Sequence, residues 1–285
     1  MSLAKTRASM VAVGDTALQC YEAGTGDPVM LISGWPQSAL AFEKLIPLLA
    51  DYHVIAVEPP ALGTSHPTSR YDMQSISDLF RELTQSLDLP RVHLVGHDIG
   101  SWIAYALAAK YPDTLRGVTL IEAAIPGIAP ASAYAFTPEQ AKKTWHFAFN
   151  YLPDLAEDLT RGREHVILEW IFRHRAAHPD AIPRASIDEY VRLYSRPGAF
   201  AEALKYYRAI FESGAQNRAL AASKLKRPVL AIAGALWLGE AMQGAIEPLA
   251  EDFEMLSIPD CAHFPPEEKP AELAAALRKH FDRCR

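Results

Sequence analysis

The sequence predicts an α/β fold: a mostly parallel, doubly wound sheet with an inserted helical cap. Three observations predict it. Short apolar runs bounded by Gly or Pro recur up to residue 121 and again from residue 229. Amphipathic, helix-like patterns separate them. Between about 127 and 213 the alternation stops, and the chain reads as helical and unusually aromatic.

The apolar runs lie at 29–32, 53–57, 92–95, 118–121, 229–233 and 253–257. Several are rich in β-branched residues. Continuous apolar runs of this length suit strands buried on both faces. Helical periodicity covers 42–49, 75–87, 101–111 and 270–283. Strands alternating with helices imply a sheet with helices on both faces. The middle stretch holds Trp145, Phe147, Trp170, Tyr190 and Tyr207 among its aromatic residues, and prolines from Pro126 and Pro130 to Pro197 punctuate it. The expected organisation is a core of 1–126 and 214–285 and a cap of 127–213, with both junctions at one edge of the sheet.

Composition narrows the function classes. A chain of 285 residues suits one large domain or a core with an insertion. The 49% hydrophobic content suffices for a sizeable core. The net charge of -6 is mild and interspersed, with no basic stripe, so no nucleic acid partner is expected. The longest apolar runs, such as 228–238, are too short to span a bilayer, so no membrane partner is expected. "MSLAKTRASMVAVGD" carries charges without an apolar h-region and reads as lacking a signal peptide. Cys20, Cys261 and Cys284 are few and odd in number, which favours a reducing compartment and a cytoplasmic location. Metal-ligand spacing, a dinucleotide fingerprint and a P-loop are all missing from the sequence. No cofactor and no metal are expected.

The chemistry concentrates in "LVGHDIGSWIAYALA", residues 94 to 108. A strand, then G-x-nucleophile-x-G, then a helix is the nucleophile elbow of α/β-hydrolases. Gly96 and Gly100 remove side chains that would collide in so tight a turn. Where many hydrolases carry serine, this chain carries Asp98. A carboxylate is already ionised at neutral pH. It can displace a leaving group from an sp3 carbon without a proton transfer, forming an alkyl ester that water must cleave. Asp98 therefore points to epoxide opening or carbon–halogen cleavage. The bland alternative is a helix N-cap, for which Asp is a favoured type.

Water needs a base. His263, in "IPDCAHFPPEE" after the last expected strand, is the candidate among ten histidines. The imidazole in turn needs an acid to hold its tautomer. The loop "AIAGALWLGEAM" contains no Asp, and its one carboxylate is Glu240. Glu122, at the end of "TLIE", is the better positioned alternative.

The motifs "GHDIGSW", "IEAAIPG", "TWHFAF", "YYRAIFES" and "CAHFPPEE" occur in that order. Over nearly its whole length the chain resembles the epoxide hydrolases of the α/β-hydrolase superfamily, in particular the Cif-type bacterial ones. The resemblance implies Asp98 as nucleophile, Glu122 as charge-relay acid and His263 as general base. It further implies that His146 and Tyr207 polarise the epoxide oxygen from the cap. Both side chains can donate to an alkoxide, a poor leaving group without such help. The family's oxyanion loop reads H-G-x-P or H-G-F, and here it reads Ser33-Gly34-Trp35-Pro36. The backbone N–H groups of Trp35 and Ile99 remain the expected oxyanion donors. Ser33 in place of the histidine bears on the hydrolytic step. "EPPALGTSHP", residues 58 to 67, reads as structural.

The expected activity is opening of an apolar epoxide to a vicinal diol. The aromatic cap implies an apolar or aryl pocket. Dehalogenation is the nearest rival, since it uses the same nucleophile. Haloalkane dehalogenases usually carry tryptophan after the aspartate, where this chain has Ile99. Haloacid enzymes carry arginines in the following stretch, where this chain has Ser101, Trp102 and Tyr105 and no arginine before Arg116. A non-catalytic binding protein on this fold is a third reading. The expected partner is a small epoxide, and the resemblance makes a homodimer an open expectation.

Overall fold

The computed structural model describes residue 3 and residues 5–128 and 137–285. Residues 129–136, which include Pro130 and open the expected cap, lie outside the described residues, as do 1, 2 and 4. Eight strands form one sheet: β1 (Arg7–Val13), β2 (Thr16–Ala23), β3 (Pro28–Ile32), β4 (His53–Val57), β5 (Val92–His97), β6 (Leu115–Ile121), β7 (Val229–Gly234) and β8 (Phe253–Ile258). Their spatial order is β1-β2-β4-β3-β5-β6-β7-β8. Every pairing from β4 to β8 is parallel. Strands β3, β5 and β7 are buried at every position, which explains their unbroken apolar runs.

Two departures from the sequence reading have plain causes. The hairpin β1–β2 was not expected. It turns through Gly14 and Asp15, with Val13 opposite Thr16, and it pairs antiparallel at the sheet edge. Its outer strand is largely solvent-facing, so it lacks the continuous apolar run that marks the inner strands. The helix expected over 42–49 is two 3₁₀ turns, Ala39–Phe42 and Ile46–Leu49. Pro47 has no N–H to donate, so one continuous α-helix cannot pass through it.

Helices α1 (Met73–Ser86) and α2 (Ile99–Lys110) cover the sheet. Asp72 caps α1 by accepting from the Ser75 N–H at 3.1 Å. Helix α2 is buried from Ile99 to Ala108 on every side, as a helix apolar all round should be. After β6 come α3 (Pro138–Tyr151), α4 (Leu155–Thr160), α5 (Glu164–Arg175), α6 (Arg184–Tyr194), α7 (Ala199–Arg208) and α8 (Ile210–Leu220). Thr137 and Gln140 form a capping box at the start of α3. The expected boundary at 213/214 falls inside α8, which crosses back towards β7. At that place the backbones of Gly127 and Gly214 touch. Helices α9 (Ala241–Ile246), α10 (Pro265–Glu268) and α11 (Pro270–Arg283) complete the chain. No helix among the described residues is long and apolar enough to cross a membrane.

Candidate active site

Strand order reverses around β3 and β5, which lie side by side although β4 separates them in sequence. The carboxyl ends of such neighbours open a crevice. Trp35 follows β3 and Asp98 follows β5, so this reversal is what brings them together. Glu122 follows β6 and His263 follows β8. The four groups line one edge of the sheet.

The elbow is as tight as its glycines require. Asp98 has φ 54° and ψ -121°, a strained setting for a residue with a side chain. A Cβ on Gly100 would stand 2.1 Å from the Ile32 carbonyl oxygen, and one on Gly96 would stand 2.2 Å from that of Gly100. A Cβ on Gly34 would meet Asp98 Oδ1 at 2.4 Å. Bare backbone at 34 lets the next amide reach the carboxylate. The Trp35 N–H donates to Asp98 Oδ1 at 3.0 Å, and the Ile99 N–H also hydrogen-bonds this carboxylate. The peptide between Trp35 and Pro36 is cis. The Ser33 hydroxyl is buried with no hydrogen-bond partner among the described residues.

His263 stands between two carboxylates. Its Nε2 is 3.4 Å from Asp98 Oδ2, and its Nδ1 is 3.3 Å from Glu122 Oε2. The other Glu122 oxygen accepts from the Gly234 N–H at 2.7 Å. Glu240 is exposed at the start of α9, away from the imidazole. Burial opposes charge on all three groups. At Glu122 burial prevails and raises the pKa. At Asp98 burial is outweighed by the hydrogen bond and charge of His263, and the pKa falls. At His263 burial is outweighed by Asp98 and Glu122, and the pKa rises.

The cap closes over this edge and leaves a cavity of about 180 Å³. Asp98, Glu122 and His263 line it from the sheet, and His146 and Arg175 from the cap. The Arg175 guanidinium donates from Nη2 to His146 Nδ1. A guanidinium can only donate, so Nδ1 accepts and the neutral ring carries its proton on Nε2. Burial and the adjacent Arg175 charge hold the His146 pKa well below its usual value, so the ring is neutral over the working pH range. The His146 ring stacks on Trp35 with centroids 5.9 Å apart. Tyr207 is not among the residues lining the cavity, but it packs edge-on against His146 at 5.5 Å and Trp35 at 5.4 Å. Burial and the nearby Asp98 charge keep its hydroxyl protonated, well above its usual pKa.

Among the cavity residues that the sequence reading did not single out are Trp237 and Arg175. Trp237 lies against the His263 ring, with centroids 5.5 Å apart. Arg175 ends α5, where a basic residue ordinarily faces water near the helix C-terminus. A signal for it does exist. Leu168, Ile171, Phe172 and Arg175 form the buried face of α5 at helical spacing, so an arginine occupies the apolar stripe. Outside the cavity, Glu58 ties its own loop, accepting from the Ala39 N–H at 3.2 Å and the Thr64 hydroxyl at 2.9 Å.

The family described as alpha/beta hydrolase fold matches residues 27–270. The chain is 30% identical over 263 residues to a soluble epoxide hydrolase of Corynebacterium sp. (strain C12), covering 91% of each. It is 25% identical to a fluoroacetate dehalogenase of Burkholderia sp., covering 97% of this chain and 94% of that one. Among solved structures it is similar to Cfl2 of Burkholderia cenocepacia, with a TM-score of 0.94, 37% identity and coverage of 98% and 97%.

Proposed function

The chain belongs to the α/β-hydrolase fold family and is a hydrolase, and from that premise we propose that it opens an epoxide to a vicinal diol through an ester on Asp98. The observation that carries this reading is the His146–Arg175 contact across the cavity from the sheet residues. An epoxide oxygen leaves as an alkoxide, which needs a donor. The guanidinium fixes His146 in the tautomer that donates. Similarity to a soluble epoxide hydrolase supports the same reading.

In the first step Asp98 Oδ2 bonds to an epoxide carbon and the ring C–O bond breaks. The alkoxide takes a proton from Tyr207 or His146, and that donor regains one from solvent. In the second step His263 Nε2 takes a proton from water as its oxygen adds to Asp98 Cγ. The Oδ1 oxyanion is met by the Trp35 and Ile99 amides. Collapse breaks the Cγ–Oδ2 bond, and the His263 proton goes to the departing diol. The proton left on the Asp98 carboxyl passes to solvent and replaces the one the donor took, so epoxide and water are consumed and one diol is formed. Glu122 orients His263 and offsets its charge.

His263 is dispensable for the first step and needed for the second, where general-base help is worth about 10²–10⁴-fold. His263→Gln mixed with an epoxide is expected to accumulate an adduct equal in mass to the intact epoxide, mapped to Asp98. Asp98→Ala is expected to give neither adduct nor diol. Intact-protein mass spectrometry is the measurement. The similarity to a fluoroacetate dehalogenase favours a second reading, in which a halide leaves instead. That reaction adds an alkyl group without the halogen, so adduct mass separates the two. If neither terminal nor internal epoxides label the histidine variant, the epoxide reading loses its support.

A further inference from the structure

Arg175 holds a full positive charge in a nearly closed place. The residue is 2% exposed, and it lines the cavity that contains Asp98. Its Nη2 donates to His146, a neutral group, and its Nε has no hydrogen-bond partner among the described residues. Among those residues it also has no ion-pair partner; the Asp98 charge acts on it from a longer distance, and the Trp237 ring centroid lies 5.8 Å from it. The cavity does contain two carboxylates, but both are engaged elsewhere. Asp98 is held by the Trp35 amide and by His263. Glu122 is held by His263 and the Gly234 amide. A second cation, Lys143, lines the same cavity and donates to the Trp237 carbonyl at 2.7 Å. Its ion-pair partner Glu139 is mostly exposed, so that charge is screened by water.

A buried guanidinium without a directly paired counter-ion is costly to keep. An apolar substrate filling the cavity would displace water and leave the charge still more isolated. A substrate carboxylate would do the reverse. It offers two acceptors in a plane, the shape that a guanidinium fork matches. The guanidinium would in turn offset the repulsion between Asp98 and an anionic substrate, which otherwise opposes attack.

We infer that Arg175 binds an anionic substituent of the substrate, so that the preferred substrates are small epoxides bearing a carboxylate. The inference rests on the epoxide reading above and replaces the apolar substrate expected from the aromatic cap. The product is a dihydroxy acid. A cavity of about 180 Å³ favours a substrate with few further carbons.

The test compares 2,3-epoxypropanoate with its neutral counterpart 2,3-epoxypropanamide. The unmodified protein is expected to favour the acid in kcat/KM by about tenfold or more, the usual worth of a charge-assisted contact. Arg175→Gln is expected to abolish that preference or reverse it. Arg175→Lys, which keeps the charge, is expected to retain part of it. The ratio of the two substrates is the readout, because loss of support to His146 slows both alike. A protein that converts the amide as well as the acid, or an Arg175→Gln ratio equal to the parent's, overturns the inference and leaves the epoxide reading standing. Failure of every epoxide, charged or neutral, to label His263→Gln overturns both.

Discussion

Asp98 is held so that its two oxygens differ. Oδ1 meets the Trp35 amide and Oδ2 faces His263. The distinction suits a nucleophile, since one oxygen is free to attack while the other awaits the oxyanion. Tyr207→Phe is expected to slow alkylation by about 10²–10³-fold, the usual effect of removing one donor from a developing oxyanion. A single-turnover alkylation rate equal to the parent's would remove Tyr207 from the reaction. The pH dependence follows from the shifted groups. His263 acts as a base only when neutral, and its pKa is raised, so base activity is lost as pH falls through that raised value. Alkylation needs no neutral His263 but does need ionised Asp98, whose pKa is lowered and which therefore stays ionised further into acid. Hydrolysis should fail before alkylation. The fraction of protein carrying the ester at steady state is expected to rise as pH drops from about 8 to about 5, a range spanning the ordinary histidine pKa. Acid quenching and intact mass measure it, and an ester fraction that stays flat or falls would contradict the assignment of His263. Asp98, Glu122 and His263 were legible in the sequence because each follows a strand end within a motif. Arg175 was not legible as a cavity group, because its position depends on how α5 meets the loop before α10. The His263 N–H donates to the Arg175 carbonyl at 3.0 Å, a contact between residues far apart in the chain.

At the scale of elements, the inner strands were readable because burial on both faces leaves an unbroken apolar run. The β1–β2 hairpin was hidden because its burial alternates along β2, and its turn is only Gly14-Asp15. That dipeptide between two alternating stretches is the signal that could have exposed it. The Gly127–Gly214 contact supports a sharper test. A Cβ on Gly127 would lie 2.3 Å from the Gly214 carbonyl oxygen, at a φ of +79°. A Cβ on Gly214 would lie 3.2 Å from Gly127, at an ordinary helical φ. Overpacking typically costs about 1–3 kcal/mol, and each kcal/mol shifts the Tm of a domain near this size by roughly 2–4 °C. Gly127→Ala is expected to lower Tm by several degrees. Gly214→Ala is expected to leave Tm nearly unchanged, since alanine's better helix propensity, about 1 kcal/mol, offsets a mild contact. Thermal unfolding of both variants decides it: an unchanged Tm for Gly127→Ala would show that the contact is not tight, and equal losses would contradict the asymmetry.

Across the whole molecule, the cap shares the buried apolar core of the sheet layer, with Phe172 against Phe264 and Phe147 against Trp102, and polar contacts add to it. The Tyr206 hydroxyl donates to the Pro60 carbonyl at 3.0 Å, and the Ala177 N–H donates to Glu268 at 2.7 Å. The Tyr71 hydroxyl reaches Glu202 at 3.0 Å. The inner strands are in addition joined to one another by continuous ladders. Segments with few buried apolar contacts open at lower free energy than core strands. Amides of β3, β5, β6 and β7 are expected to exchange with deuterium slowest, and those of α4 much faster. Trapping the ester in His263→Gln should slow exchange in α3 and α5, which carry His146 and Arg175, and leave β1 unaffected. Hydrogen-exchange mass spectrometry measures this, and unaltered α3 and α5 would detach the cap from the reaction. The layered architecture was legible because alternation of element types reports connectivity. The cavity between the layers was not, because it is a product of tertiary approach.

The touching glycines also bear on the history of such a chain. Everything between Gly127 and Gly214 begins and ends at one point on the sheet layer. A segment closed in this way can lengthen, shorten or be exchanged wholesale, since loop-closure entropy grows only with the logarithm of its length. Asp98, Glu122 and His263 all lie outside the segment, while His146, Arg175 and Tyr207 all lie inside it. On the proposed mechanism, the nucleophile with its water-activating pair and the groups facing the leaving oxygen are thus carried on separate pieces. A lineage built this way can change what it accepts by recombination at a single neck, provided the incoming piece again supplies the donors proposed at His146 and Tyr207.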